Sequence, residues 1–274
     1  MKALQLLVVE HEAQCPPGWM GEWLAELGAD LDVRRPYAGQ ALPPDLSRHD
    51  GLLVLGGEMA AGDDAGHPWL LDVRALVRAA AEPGGGTTPV LGICLGHQLA
   101  ALALGGRVGR SRFGTQIGVV EVGWTAAALA DPLLGSLAHG GAPGEGPDTS
   151  SPAVQWNDDV VTELPPGAVV LARAPGGEVQ AARLAPSVWG VQWHPEAGAE
   201  IIGSWAEHDR DRAAERGVDV DAHVLQVAAS HDRLRATWRT LAERFVTLCR
   251  GPGPGPRGVA GLDDPEPAPV GSPR

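Results

Sequence analysis

Two places in this 274-residue chain carry residue types that could do covalent chemistry together. One is Cys94, within Gly92-Ile93-Cys94-Leu95-Gly96-His97-Gln98. The other is His194, within Val191-Gln192-Trp193-His194-Pro195-Glu196. A thiolate attacks carbonyl carbon, and it needs a base that collects the thiol proton and later returns it to a leaving amine. Cys94 stands where an apolar run over residues 88–93 meets the start of a helix expected over 95–104. Glycines two positions to either side relieve the crowding of a sharp turn that projects a nucleophile. At a helix N-terminus the unpaired N–H groups and the dipole favour a thiolate. A small buried core residue is the competing reading of any single cysteine. Cys15, before Pro16-Pro17, and Cys249, at the end of the last helix, lack this setting and read as structural.

His194 follows an apolar run expected to be a buried strand, and the carboxyl ends of strands line the ligand crevice in open α/β sheets. Pro195 restricts His194 to extended geometry and stops the ladder. Glu196 could bond the far ring nitrogen and hold the tautomer that a base requires. A surface-loop histidine is the alternative. His97 competes as a base by its closeness to Cys94 in sequence, but it should point across the turn and reads as structural. His11, His49, His67, His139, His208, His223 and His231 fall in loops or polar helices, and none has the spacing of a metal site.

The elements that must position these residues follow from hydropathy. Residues 4–9 form an apolar run of the kind that becomes a buried parallel strand. A helix is expected over 18–27, a short strand over 31–33, a strand over 51–55 ending in Gly56-Gly57, and a helix over 69–81. Strands alternating with helices of this length predict an α/β fold: a doubly wound, mostly parallel sheet with helices on both faces. Residues 117–122, 169–172 and 179–184 come without intervening helices and predict a small antiparallel extension, with a final strand over 188–193. Apolar residues spaced three to four apart over 219–250 predict one amphipathic helix. Residues 139–152 read as a surface loop. Thirteen of the 24 residues in 251–274 are Gly or Pro, which predicts a flexible tail. The expected organisation is a domain over 1–250, helical from 201, followed by that tail.

The chain has 21 Lys and Arg against 34 Asp and Glu, a net charge of −13. That balance speaks against nucleic acid and anionic membranes, because no excess of cations exists to neutralise phosphates. No apolar stretch approaches the roughly 18 residues of a membrane span. Three scattered cysteines without a CxxC pair argue against disulfides or zinc and for a reducing, cytoplasmic setting.

Three blocks together, Leu55-Gly56-Gly57-Glu58-Met59, the Cys94 segment and the His194 segment, resemble the class I glutamine amidotransferase family over about residues 1–200. More narrowly, the chain is similar to stand-alone, GMP-synthase-like glutaminase domains of the flavodoxin-like type. The resemblance implies a Cys94–His194–Glu196 triad that cuts the side-chain amide of glutamine through a thioester, with no cofactor or metal. It also implies an oxyanion site made by the Gly57 and Leu95 N–H groups, and a substrate contact from Gln98. The family often has Pro where Glu58 stands, and His and Gly where Asn157 and Asp158 stand. Glu58 and Asp158 are therefore candidate substrate contacts, Asp158 for a substrate ammonium or else as an exposed loop acid. No synthetase follows residue 200, so the implied partner is a separate synthase protein that accepts ammonia. Two other functions compete: a γ-glutamyl hydrolase acting on a γ-glutamylated amine or peptide, and a non-catalytic regulatory binding protein.

Overall fold

The computed structural model describes residues 3–82, 88–139 and 150–251. In its first half, β1 (Leu4–Val9), α1 (Gly18–Glu26), β2 (Ala29–Arg34), β3 (Gly51–Val54), α2 (Trp69–Ala81), β4 (Val90–Ile93) and α3 (Leu95–Ala103) follow one another. The second half begins with β5 (Arg107–Arg110), β6 (Gln116–Trp124), α4 (Gly135–Ala138), β7 (Ser150–Asn157), β8 (Asp159–Glu163), β9 (Val169–Arg173), β10 (Val179–Ala185) and β11 (Val188–Val191). Helices α5 (Ala199–Glu215), α6 (Val220–Ala229) and α7 (His231–Cys249) close it.

Nine strands form one sheet in the order β2-β1-β3-β4-β11-β10-β9-β6-β7. The pairs from β2 to β11 are parallel, and those from β11 to β7 are antiparallel. Alternation along β1 shows why the inner parallel strands are so apolar. Leu4, Leu6 and Val8 enter one core with Trp23, Trp193, Trp238 and Phe245, while Leu7 and Val9 enter the other with residues of α2 and α3. A strand covered on both faces has no solvent side on which to alternate. The central parallel pair sets the site. Gly190 lies opposite Gly92 and Val191 opposite Ile93, so both strands end at the same edge of the sheet.

The expected doubly wound sheet is present, and its antiparallel extension adds four strands to the same sheet, with β5 and β8 as a separate pair. Strand β7 carries no strand signal in its sequence, because Pro152 and its polar residues read as loop. As an edge strand paired only with β6, it accommodates a proline. The single helix expected over 219–250 is two helices, divided at Ser230, whose N–H bonds back to Gln226 and Val227. The break has a packing cause. Helix α6 is tied to β6 by Gln226, which bonds both the N–H and the carbonyl of Val119, whereas α7 lies against α1 and β7. Residues 140–149 of the expected loop and 252–274 of the expected tail lie outside the described residues. No described helix is long and apolar enough to cross a membrane.

Candidate active site

Cys94 occupies the corner between β4 and α3. Its φ of 49° and ψ of −104° make it the one non-glycine residue with positive φ among the described residues. Such a conformation costs on the order of 1–3 kcal/mol and persists only where its surroundings impose it. Here the Cys94 N–H extends the β4–β11 ladder to the Val191 carbonyl at 2.8 Å, and its carbonyl already accepts from the Gln98 N–H of the helix at 3.1 Å. The flanking glycines are steric necessities. A Cβ on Gly92 would run into the Gly96 backbone, and one on Gly96 into the Val54 carbonyl.

His194 leaves β11 with its N–H bonded to the Val154 carbonyl at 2.8 Å. Its Nδ1 lies 2.7 Å from Glu196 Oε1, and both side chains are almost wholly buried. Glu196 is fixed in turn from α1, where the Trp19 N–H donates to its carbonyl and Gly18 leaves room for that carbonyl. Trp205 closes the other side, its ring 4.6 Å from the imidazole at a steep angle. Burial works against an imidazolium here. The Glu196 charge, followed by Cys94, outweighs it and pushes the His194 pKa up to about 10. Nε2 is buried and has no hydrogen-bond partner among the described residues. Thiol–imidazole contacts commonly tighten only once substrate is bound.

The loop after β3 completes this end of the site. A Cβ on Gly56 would lie 3.0 Å from His194 Cε1 and 3.7 Å from Cys94 Cβ, so only bare backbone passes there. A Cβ on Gly57 would meet Met59 Sδ at 2.6 Å, Leu95 at 3.0 Å and His11 at 3.1 Å. The N–H groups of Gly57 and Leu95 donate to nothing among the described residues. His11 lies beneath the loop, accepting from the Trp69 indole at 3.1 Å; burial, with the neighbouring His67, pushes its pKa down to about 3.

A cavity of about 200 Å³ opens over Cys94 and His194. Gly57, Glu58 and Gln98 line it, and α5 supplies its far wall with Trp205, His208, Asp209 and Arg212, continued by Arg216. That wall is a lattice of ion pairs. Asp158 accepts from Thr115 at 2.5 Å and pairs with Arg110 at 2.7 Å and Arg216 at 3.0 Å. Burial opposes the Asp158 charge, but Thr115 and the two guanidiniums hold its carboxyl below the usual range. Asp209 accepts from the Trp156 indole and from Arg212, and His208 reaches across to Glu58 at 3.1 Å.

The eight residues singled out from sequence thus line or flank one cavity, in different situations. Cys94, His194 and Glu196 are buried, with Gly57 and Leu95 beside them. Gln98 is anchored by its Nε2 to the Asp159 carbonyl at 2.9 Å. Glu58 is exposed and paired with His208, while Asp158 is engaged by two arginines rather than free for a ligand. His97 is buried against Gly190, and burial pushes its pKa down to about 4. Several contributors carry no local sequence signal. Gln192 donates to Cys94 Sγ at 3.4 Å, Trp205 covers His194, and Glu12 and Cys15 line the cavity. The described residues hold no cluster of three or more potential metal ligands.

Comparison with known proteins agrees with this architecture. Residues 21–204 match the family model described as glutamine amidotransferase class-I. The chain is 30% identical over 207 residues to the glutamine amidotransferase-like protein YfeJ of Salmonella typhimurium, covering 76% of this chain and 82% of that one. It is 35% identical over 175 residues to a subunit of the glutamine-hydrolysing GMP synthase of Haloarcula marismortui, covering 63% and 76%. It is 28% identical over 225 residues to γ-glutamyl peptidase 5 of Arabidopsis thaliana, covering 81% and 83%. The crystal structure of a glutamine amidotransferase from Thermotoga maritima has the same fold, with a TM-score of 0.75 at 24% identity over 90% of this chain and 99% of that one.

Proposed function

Because the chain belongs to the class I glutamine amidotransferase family, we propose that it hydrolyses the side-chain amide of glutamine through a thioester on Cys94. The observation that carries this reading is the convergence of Cys94, the His194–Glu196 pair and the Gly56-Gly57 backbone at one end of a cavity.

Glu196 orients the imidazole through Nδ1, so Nε2 takes the Cys94 proton. The thiolate attacks the amide carbon, and the carbonyl oxygen becomes an oxyanion facing the N–H groups of Gly57 and Leu95. Preorganised donors of this kind are worth roughly 100- to 1,000-fold in rate each. Collapse of the tetrahedral species breaks the C–N bond, the imidazolium protonates the nitrogen, and ammonia leaves. Water then gives up a proton to His194, attacks the γ-glutamyl thioester and breaks the C–S bond. Glutamate is released and the thiol is restored. The amide donor of Gln192 supports the sulfur while it is anionic.

Ammonia then passes to a separate synthase protein, a step suggested by the Haloarcula relative, which is itself one subunit of a synthase. All three cysteines are free, and a thiol nucleophile suits the reducing cytoplasm. A second reading, hydrolysis of a γ-glutamylated amine or peptide, is supported by the similarity to γ-glutamyl peptidase 5 and by the wall that α5 adds beyond the reacting groups. The chemistry is the same; only the leaving amine differs.

The test is incubation with glutamine and with γ-glutamyl amides, following ammonia and free glutamate. Turnover that Cys94→Ala abolishes supports the reaction, and the preferred substrate selects between the two readings. Wild type inert on both classes, and indistinguishable from Cys94→Ala, would reject it.

A further inference from the structure

Five carboxylates line the cavity: Glu12, Glu58, Asp158, Asp159 and Asp209. Four have cationic or imidazole partners. Asp158 has Arg110 and Arg216, Asp159 has Arg110 at 3.3 Å, Asp209 has Arg212, and Glu58 has His208. Glu12 has none among the described residues. Its hydrogen bonds there come from the Cys15 thiol at 3.0 Å and the Glu58 N–H at 3.1 Å, both on Oε1. Oε1 is therefore held in position, and Oε2 accepts from nothing among the described residues. The Glu58 N–H is the next amide after that of Gly57, so Glu12 is braced against the same loop that flanks the reacting carbonyl.

A carboxylate partly withdrawn from water with no cation in contact is costly to keep ionised. Burial, with Glu58 nearby, holds the Glu12 carboxyl above the usual carboxylate range, against the opposing pull of the Cys15 and Glu58 N–H hydrogen bonds and of His208. An incoming ammonium relieves both effects. The γ-glutamyl group carries one such cation, on the carbon three bonds from the carbonyl that Cys94 attacks. Asp158 is already engaged by two guanidiniums.

We propose that Glu12 is a specificity-determining residue that accepts the α-ammonium of the γ-glutamyl group. This assignment rests on the reading of the site as a γ-glutamyl amide hydrolase. It predicts discrimination against substrates that keep the amide and the chain length but lack the amino group.

The experiment compares wild type with Glu12→Gln on L-glutamine and on glutaramate, the same primary amide without the α-amino group. The Gln side chain keeps an acceptor for Cys15 and the Glu58 N–H but loses the charge. The expected result is a fall in kcat/KM for L-glutamine of about 10- to 100-fold, carried mainly by KM, the scale of one charged hydrogen bond. Glutaramate should change by less than about threefold, within ordinary context effects. Equal loss on both substrates, or no loss on L-glutamine, would overturn the assignment while leaving the hydrolase reading intact. If wild type turns over neither compound, hydrolysis of glutamine itself fails separately. Calorimetric binding of L-glutamate and glutarate then decides on Glu12. Selective weakening of L-glutamate in Glu12→Gln supports the assignment, and unchanged or equal weakening rejects it.

Discussion

The wall of the cavity that carries Cys94 and the wall that α5 presents to it are held by different forces. On the first, Cys94, His194 and Glu196 are almost fully buried, and backbone contacts with no slack fix them. On the second, Arg212, Arg216 and His208 are about half exposed and held by ion pairs. Exposed pairs contribute only about 0–1 kcal/mol each and can rearrange. The buried wall cannot adjust, as suits groups that must meet a reacting carbon in one geometry. The charged wall can, as suits contacts with whatever amine a substrate carries. Substitutions on the first should change the chemical step or the fold, and those on the second should act on substrate preference.

The largest contrast is expected within the buried wall. His194→Ala should lower kcat by roughly 100- to 10,000-fold, the range of a lost general acid–base. Glu196→Gln should retain at least about tenfold more activity, because the carboxylate orients the base rather than moving the proton. Steady-state rates decide this, and the reverse order would reassign the roles.

Glycine substitutions sharpen the comparison between the walls. Gly96→Ala sets a methyl against the Val54 carbonyl and should destabilise the protein by about 1–3 kcal/mol. Gly203→Ala, in α5, meets nothing within 4 Å and should be neutral or stabilising by up to about 1 kcal/mol. Urea denaturation of both variants measures the difference, and similar midpoints would show that the elbow is not tightly constrained.

The last contrast is a pH slope. The His194 pKa is raised in the folded protein from its ordinary 6.5 to about 10. The proton is thus bound more tightly folded than unfolded, and its stabilisation is complete below about pH 6.5 and fades as pH rises through 10. Glu196→Gln removes the charge chiefly responsible, so its stability should vary less than wild type between those limits. Denaturation midpoints across the range would show parallel curves if Glu196 is not the cause.

What could be read from sequence follows the same division. The elbow was legible because its constraint is local: a glycine two residues before and after Cys94 encodes the turn directly. Helix α2 and strand β1 were legible to the residue, since both carry strong apolar patterning. His194 and Glu196 were legible because Pro195 marks the end of a strand. Glu12, Gln192 and Trp205 were not, because their roles depend on which strands and helices become neighbours. Trp205, for instance, is anchored to the carbonyl of Gln14, far away in sequence. The division at Ser230 was hidden for a related reason. Periodicity reports that a helix has an apolar face, and α6 and α7 each have one, but it cannot report that the two faces dock on different partners. Asp158 lines the cavity, but the arginines that engage it, Arg110 at the end of β5 and Arg216 just past α5, lie 48 and 58 positions away.

Chemical modification puts the assignment of the nucleophile at greatest risk, because Cys94 and Cys15 line the same cavity and only one is assigned that role. A glutamine-shaped diazoketone, which alkylates a thiol positioned to attack the side-chain carbonyl, should be mapped by peptide mass spectrometry while residual activity is followed. The expected result is a single adduct on Cys94, loss of turnover in proportion to labelling, and protection by glutamine. An adduct on Cys15 that accounts for inactivation, or full activity with Cys94 alkylated, would contradict it.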